Sequence, residues 1–145
     1  MVERDYLMRM LQDFFSMIAK LVRLKVEEPD KNNIQERFYE VYRQFFRKPA
    51  DYFYALEKEN IPDALTRENM SEAEHFAIVQ MLSELLYQDG LIKNDIVEKI
   101  SLLEKSLYLL KYLESNSKTY SWDREQKMND IHKILTEYNI DNGNY

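Results

Sequence analysis

The fold is decided by residues 71–113, which have the sequence SEAEHFAIVQMLSELLYQDGLIKNDIVEKISLLEKSLYLLKYL. Apolar residues recur in it at steps of three and four, as one face of an α-helix requires. Two such patterns meet at Asp89 and Gly90, and glycine suits the left-handed residue that often follows the end of a helix. The stretch therefore predicts two long helices joined by a tight turn, with Gly90 as the left-handed residue.

The first helix of this pair has a capping signal at its start. Ser71 precedes Glu74 by three residues, so that each side chain can accept a hydrogen bond from the other residue's backbone N–H. The face expected to be buried contains Ile78, Met81, Leu82, Leu85 and Leu86.

The second helix, from about Asn94, has two apolar stripes. One is a seam with heptad spacing, formed by Ile96, Ile100, Leu103, Leu107 and Leu110. The other lies about 100° or more away around the helix and consists of Leu102, Leu109 and Leu113. A helix with two apolar faces needs neighbours on both sides, so we expect it to be sandwiched. Any surplus of the second stripe is a candidate interaction surface.

Helical spacing continues on both sides of this hairpin. Further helices are predicted at residues 5–25, 33–48, 50–59 and 121–138, with one helical turn at 62–65. Loops are predicted at 26–33 and 116–120, and the end at 141–145 should fray. The chain has only two glycines and three prolines, whereas sheet proteins need many tight turns. We expect an all-α fold of about six helices in antiparallel hairpins, as an irregular bundle or a short stack.

Length and composition fit one ordinary domain that spans residues 1–145. Apolar residues make up 45% of the chain and charged residues 32%. This composition is too apolar for a disordered chain, and it contains enough charged residues for a solvated surface. No run approaches the roughly 20 apolar residues that cross a bilayer. The first residues carry both signs of charge and no signal-peptide core follows, so a cytoplasmic location is expected.

The net charge of −6 is concentrated in the middle of the chain. Residues 49–90 contain two basic and nine acidic side chains, whereas residues 1–48 contain ten basic and eight acidic ones. A field of this sign repels phosphate backbones. Nucleic-acid binding is therefore not expected.

Two stretches resemble known helical proteins. Residues 85–90, Leu-Leu-Tyr-Gln-Asp-Gly, together with Ile96, Ile100 and Leu103 resemble a tetratricopeptide-type helical hairpin, over about 34 residues. The opening residues 5–10, with Phe14 and residues 18–20, look like the start of a small family of bacterial all-helical proteins whose function is uncharacterised. The first resemblance implies a hairpin stack that binds other chains; the second implies a helical fold and no site residues.

Several kinds of enzyme site are excluded by composition. A P-loop and a dinucleotide fingerprint need several glycines in one short loop, and only Gly90 and Gly143 are present. With no cysteine in the chain, thiolate nucleophiles and cysteine-based zinc sites are excluded. No catalytic residue and no cofactor is predicted.

Glu72 and His75 form an E-x-x-H pair of the kind found in di-iron bundles. Such sites need a second pair, but His132 is preceded three residues earlier by Asn129. Glu72 also has a structural role in the first turn of a helix, where acidic side chains are favoured. We therefore expect no metal site.

Three functional interpretations remain open. The densest aromatic group could line a small-molecule pocket, and it comprises Tyr39, Tyr42, Phe46, Tyr52 and Tyr54. The first helix has an apolar arc of roughly 200° by its 100° steps, which could lie on a membrane surface but is more simply the inside of the fold. We favour a non-enzymatic protein that binds another protein or itself as a homodimer, with a small-molecule-binding regulator as the alternative and a metal-dependent bundle enzyme as a more distant one.

Overall fold

The computed structural model describes residues 2–27, 33–118 and 121–138. Over these residues the chain forms α-helices without any β-strand, which confirms the predicted all-α fold of about six helices. The helices, in chain order, are α1 (Val2–Glu27), α2 (Asn33–Val41), a π-helix (Tyr42–Phe46), α3 (Ala50–Ala55), a 3₁₀ turn (Lys58–Asn60), α4 (Ile61–Ala64), α5 (Glu72–Ile92), α6 (Ile96–Asn116) and α7 (Trp122–Glu137). Most of the loop predicted at 26–33, part of the loop at 116–120 and the end at 141–145 lie outside the described residues.

Three long helices begin with a side-chain cap. The Ser71 hydroxyl oxygen accepts a hydrogen bond from the Glu74 backbone N–H at 3.0 Å, and the Ser121 hydroxyl accepts one from Arg124 N–H at 3.2 Å. Asp95 caps α6 through the Val97 N–H at 2.8 Å. Such caps satisfy backbone donors that have no partner within the helix. The predicted starts at Ser71 and Ser121 are confirmed.

The predicted role of Gly90 is wrong. Helix α5 continues through Gly90 to Ile92 and ends at Lys93, whose backbone is extended. A Cβ added to Gly90 would lie 3.2 Å from Leu103 Cδ2 and 3.3 Å from Leu102 Cβ. Gly90 therefore lies where α6 passes close to the backbone of α5, and a larger residue would require the neighbouring side chains to shift by a few tenths of an ångström.

The helix predicted at 33–48 is shorter and less regular than expected. Helix α2 ends at Val41, the π-helix follows, and Arg47 adopts a left-handed conformation with φ 60°. Proline disfavours helical geometry in the residue before it, so Pro49 prevents the helix from continuing through Lys48. Pro49 instead precedes α3, which begins at Ala50.

Helix α5 is the centre of the fold. It packs against α1, α2 and α6, while α7 packs on the other side of α6. The main core lies around α5 and also includes Phe14 of α1, Phe38 of α2 and Phe53 of α3. A second, smaller core lies between α5, α6 and α7 and contains Tyr87, Leu103, Leu107, Leu110, Ile131 and Leu135. None of the helices described combines the length and apolar character needed to span a bilayer.

Candidate functional site

The second stripe of α6 is internal. Leu102, Leu109 and Leu113 are at most 2% exposed and belong to the main core. In the seam, Leu103, Leu107 and Leu110 pack on α7, whereas Ile96 at the start of α6 is 46% exposed. Helix α6 is thus sandwiched as predicted, but its second stripe is covered by the chain's own helices. This burial corrects the prediction of an interaction surface at these three leucines.

The predicted aromatic group is divided between two places. Tyr39, Tyr42 and Tyr54 gather around the buried side chains of Asp89 and Lys93. The other two members, Phe46 and Tyr52, line a cleft with basic residues at its rim. The five residues therefore do not line a single pocket.

A polar network lies at the C-terminal end of α5, and we call it the Asp89 cluster: Gln35, Tyr42, Tyr54, Asp89 and Lys93. Asp89 is fully buried. Its carboxylate accepts hydrogen bonds from the Tyr42 hydroxyl at 2.7 Å, from the Tyr54 hydroxyl and from Gln35 Nε2 at 3.2 Å. These donors belong to α2, the π-helix and α3, so one carboxylate holds three elements to α5.

Lys93 supplies the positive charge of this cluster. Its Nζ lies 3.5 Å from Asp89 Oδ1 and donates a hydrogen bond of 2.7 Å to Gln35 Oε1. The same Nζ lies 4.8 Å from the ring centroid of Tyr54 and 5.4 Å from that of Tyr39, within the range of cation–π attraction. The two buried charges are therefore paired and also hydrogen-bonded, as burial of charge requires.

Both tyrosine hydroxyls of the cluster are held in the protonated form. Burial raises the pKa of Tyr42 well above its usual value, and the negative charge of Asp89 raises it further. The pKa of Tyr54 is raised by the same two causes, burial first. Both hydroxyls consequently remain donors to the carboxylate over the physiological pH range.

The geometry of the Asp89 cluster is that of a structural clamp. The carboxylate accepts hydrogen bonds from the two hydroxyls and from the Gln35 amide, and the amide oxygen of Gln35 accepts one from the Lys93 ammonium group. Asp89 is 0% exposed and Lys93 7% exposed, so these two charged groups face the interior of the protein. Buried polar networks of this kind fix a particular arrangement of helices.

The cleft between the end of the π-helix, α3 and the segment after α4 is the second place where aromatic residues gather. We call it the Tyr52 cleft; its volume is about 370 Å³, and it is lined by Phe46, Arg47, Lys48, Tyr52, Phe53, Ala64, Leu65 and Arg67. The floor is apolar because Phe46, Phe53 and Leu65 are buried. Lys48 Nζ lies 4.9 Å from the ring centroid of Tyr52.

In the E-x-x-H pair, Glu72 is exposed and His75 is partly buried. His75 Nε2 shares a hydrogen bond of 3.0 Å with the Tyr112 hydroxyl on α6. Burial lowers the pKa of His75, an effect opposed by the carboxylates of Asp63 and Glu72. Within the described residues, no three side chains of the metal-binding types His, Cys, Asp and Glu come together. His75 acts as a contact between α5 and α6.

The N-terminal half of α1 has an apolar face that the rest of the chain covers only in part. Phe14 is completely buried, whereas Met10 on the preceding turn is half-buried and Tyr6 is 53% exposed. These two residues and Phe45 line a groove of about 690 Å³, which we call the α1 groove; the rim carries Asp5, Arg9 and Asp13. The face of α1 that points away from the core is polar and exposed, and it includes Arg9, Gln12, Asp13, Ser16, Lys20 and Arg23.

Comparisons of the chain with protein-family models, with curated proteins and with solved structures found no match. The candidate sites therefore depend on the geometry of this chain alone.

Sequence reasoning missed Gln35, Asp89 and Lys93. A signal for Asp89 was present, because it lies four residues after Leu85 and so continues the buried face of α5. Lys93 lies a further four residues along the same face, where it can pair with Asp89. The adjacent glycine led instead to the prediction of a turn. Gln35 had no comparable signal.

Proposed function

We propose that this chain is a non-enzymatic cytoplasmic protein that binds a second copy of itself through the α1 groove. The observation that carries the proposal is the incomplete cover of α1, whose apolar face continues from the buried Phe14 to the exposed Tyr6. Apolar faces that a chain leaves open next to polar rims are typical of contacts with other chains.

A second copy suits this groove because its rim contains both signs of charge. Arg9 lies between Asp5 and Asp13 on successive turns of α1. If the two-fold axis is perpendicular to α1, the two α1 helices run in opposite directions, and Arg9 of each copy can lie beside an acidic residue of the other. Closed two-fold dimers are also the commonest assemblies of soluble proteins.

Two other features are consistent with an interaction role. The resemblance of this sequence to a tetratricopeptide-type hairpin favours such a role, because tetratricopeptide units present helical surfaces to partner chains. The polar groups of the Asp89 cluster satisfy one another, so this part of the buried interior serves packing. The α1 groove is an open surface that a partner can cover.

Charge reversal at the rim provides a direct test. Light scattering coupled to size exclusion should give twice the chain mass of 17.6 kDa for the natural chain at high concentration. Arg9→Glu makes the rim wholly acidic, and the double variant Asp5→Arg with Asp13→Arg makes it wholly basic, so each should be monomeric because like charges repel. An equimolar mixture of the two variants should form dimers again.

Val97→Glu provides the matched control, because Val97 is 76% exposed at the start of α6 and lies outside the α1 groove. This variant should dimerise like the natural chain. A mass of 17.6 kDa for the natural chain at every concentration, or dimers of both charge variants alone, would overturn the proposal.

A further inference from the structure

The Tyr52 cleft differs from the other clefts in its charge. Its lining includes three cationic residues, Arg47, Lys48 and Arg67, and no acidic one. The α1 groove has two aspartates and one arginine, and the cleft beside Tyr54 has three glutamates and two lysines. In a chain of net charge −6, a cleft lined by cations alone is a local exception.

Arg67 lies in an acidic part of the chain, in which basic residues are few. Residues 49–90 contain nine acidic side chains and only two basic ones, Lys58 and Arg67. One of those two lies in the cleft. Arg47, Lys48 and Arg67 are all exposed, and none of them forms an ion pair with a residue in the described part of the chain. Their positive charge is therefore available to a ligand.

The apolar lining of the cleft indicates that the uncharged part of a ligand is apolar. Tyr52 is 37% exposed, and its ring makes a T-shaped contact with the ring of Phe53 at 5.1 Å. Phe46 packs against Phe53 from another side, with ring centroids 5.8 Å apart. A cleft of about 370 Å³ with an aromatic wall and cationic rim matches the usual composition of small-molecule sites, in which a few polar groups orient a mainly apolar body.

The backbone conformation of Arg47 also indicates a binding site at the Tyr52 cleft. It has φ 60° and ψ 27°, a conformation that glycine adopts with much less strain than arginine. Its N–H donates to the carbonyl oxygen of Arg43 at 3.1 Å, a bond that glycine could make equally well. Strained residues of this kind concentrate at binding sites, and π-helices such as the one that ends here are also frequent there.

We propose that the Tyr52 cleft binds a small anionic ligand with a flat apolar body, of the class of aromatic carboxylates and aromatic phosphate esters. The body lies against the exposed ring of Tyr52, and the anionic group lies between Arg47 and Arg67. This site is separate from the α1 groove and does not depend on self-association.

Four probes separate the contributions of charge and apolar body: naphthoate, naphthyl phosphate, the uncharged naphthalenemethanol and inorganic phosphate. Each is titrated into the full isotope-labelled chain, and amide shifts are followed by nuclear magnetic resonance. The two naphthyl anions should shift residues 46–53 and 64–67 in a saturable way, while the neutral alcohol and inorganic phosphate should bind about tenfold more weakly. The tighter of the two anions identifies the carboxylate or the phosphate as the preferred group.

Substitutions then test which residues of the Tyr52 cleft bind the ligand. Arg67→Gln should weaken the tighter naphthyl anion about tenfold, the loss expected for one charge-assisted hydrogen bond, whereas Lys58→Gln removes the same charge outside the cleft and should leave affinity unchanged. Tyr52→Leu should weaken both anions. Arg47→Gly should weaken binding without lowering the melting temperature, a combination that a purely structural arginine would not give. Equal binding of the alcohol, equal effects of Arg67→Gln and Lys58→Gln, or an absence of shifts in these residues would overturn the proposal.

Discussion

The Tyr42 hydroxyl donates a hydrogen bond of 2.7 Å to the Asp89 carboxylate, although 47 residues separate the two in sequence. The bond joins the first residue of the π-helix to the penultimate turn of α5, inside the protein. Because Gln35 and Tyr54 bond the same carboxylate, Asp89 adds a polar anchor for α2 and α3 to their apolar packing on the main core.

Asp89→Asn should destabilise the protein strongly. The substitution keeps the size of the side chain but removes the charge that pairs with Lys93, which is only 7% exposed. Removing one partner of a buried ion pair leaves the other charge uncompensated and costs about 3 kcal/mol or more. Urea denaturation measures the difference. Asp130→Asn at an exposed position is the control and should change stability by less than about 0.5 kcal/mol.

Stability should fall at alkaline pH. Tyrosine in an unfolded chain has a pKa of about 10, whereas burial and the charge of Asp89 raise the pKa of Tyr42 and Tyr54 in the folded protein. Above pH 10, about the unfolded pKa, the unfolded chain therefore loses these protons while the folded protein keeps them, which favours unfolding.

Urea midpoints measured from neutral pH to about pH 11, just above the unfolded tyrosine pKa, test this expectation. Tyr54→Phe removes one of the two raised groups and should make the alkaline decline less steep. Tyr52→Phe, at an exposed position, should leave the decline as it is. A stability that stays constant through this range would contradict the expected linkage.

Gly90→Ala should destabilise the protein even though alanine is the better helix former by about 1 kcal/mol. The new methyl group would lie 3.2 Å from the Leu103 side chain and 3.3 Å from Leu102 Cβ, so α5 and α6 would have to separate slightly. Overpacking of this kind typically costs about 1–3 kcal/mol. Thermal unfolding should show a lower melting temperature for Gly90→Ala and a still lower one for Gly90→Val. An unchanged or higher melting temperature for the alanine variant would contradict this expectation, because it would mean that α5 and α6 can accommodate a methyl group at this position.

Leu109→Ala should cost about 2–5 kcal/mol, the usual range for a large-to-small change in a core. Leu109 is completely buried among residues of the main core. Val97→Ala, at a position 76% exposed, is the surface comparison and should change the free energy of unfolding by less than about 0.5 kcal/mol. Similar small effects for both variants would show that the second stripe of α6 is not part of the core. Leu109→Asp should prevent folding altogether.

Sequence periodicity predicts much of this fold because helix faces are set by local spacing. The two stripes of α6 could be recognised without knowing what covers them, and the caps at Ser71 and Ser121 follow from residues three positions apart. The neighbours of each stripe are a property of the tertiary structure, however. The second stripe of Leu102, Leu109 and Leu113 looked available to a partner because nothing local shows that the main core covers it.

The other differences between the sequence-based predictions and the structure arise from contacts between residues that are far apart in the sequence. A glycine after Asp89 satisfies the rule for a helix end and equally the need for a close helix crossing, and only the position of Leu103 distinguishes the two. The Asp89 cluster combines residues from four elements, so no local pattern contains it. The Tyr52 cleft likewise brings Arg67 to Arg47 across twenty residues of chain.

The division of the interior into two cores affects which part of the protein unfolds first. Helix α7 is attached through the smaller core, mainly to α6, whereas the Asp89 cluster and the main core hold α1 to α6 without it. Segments with few buried contacts can detach while the rest of a protein remains folded. Helix α7 is thus expected to behave as a separate cooperative unit, whose amides exchange with solvent and become accessible to proteases well before those of α5.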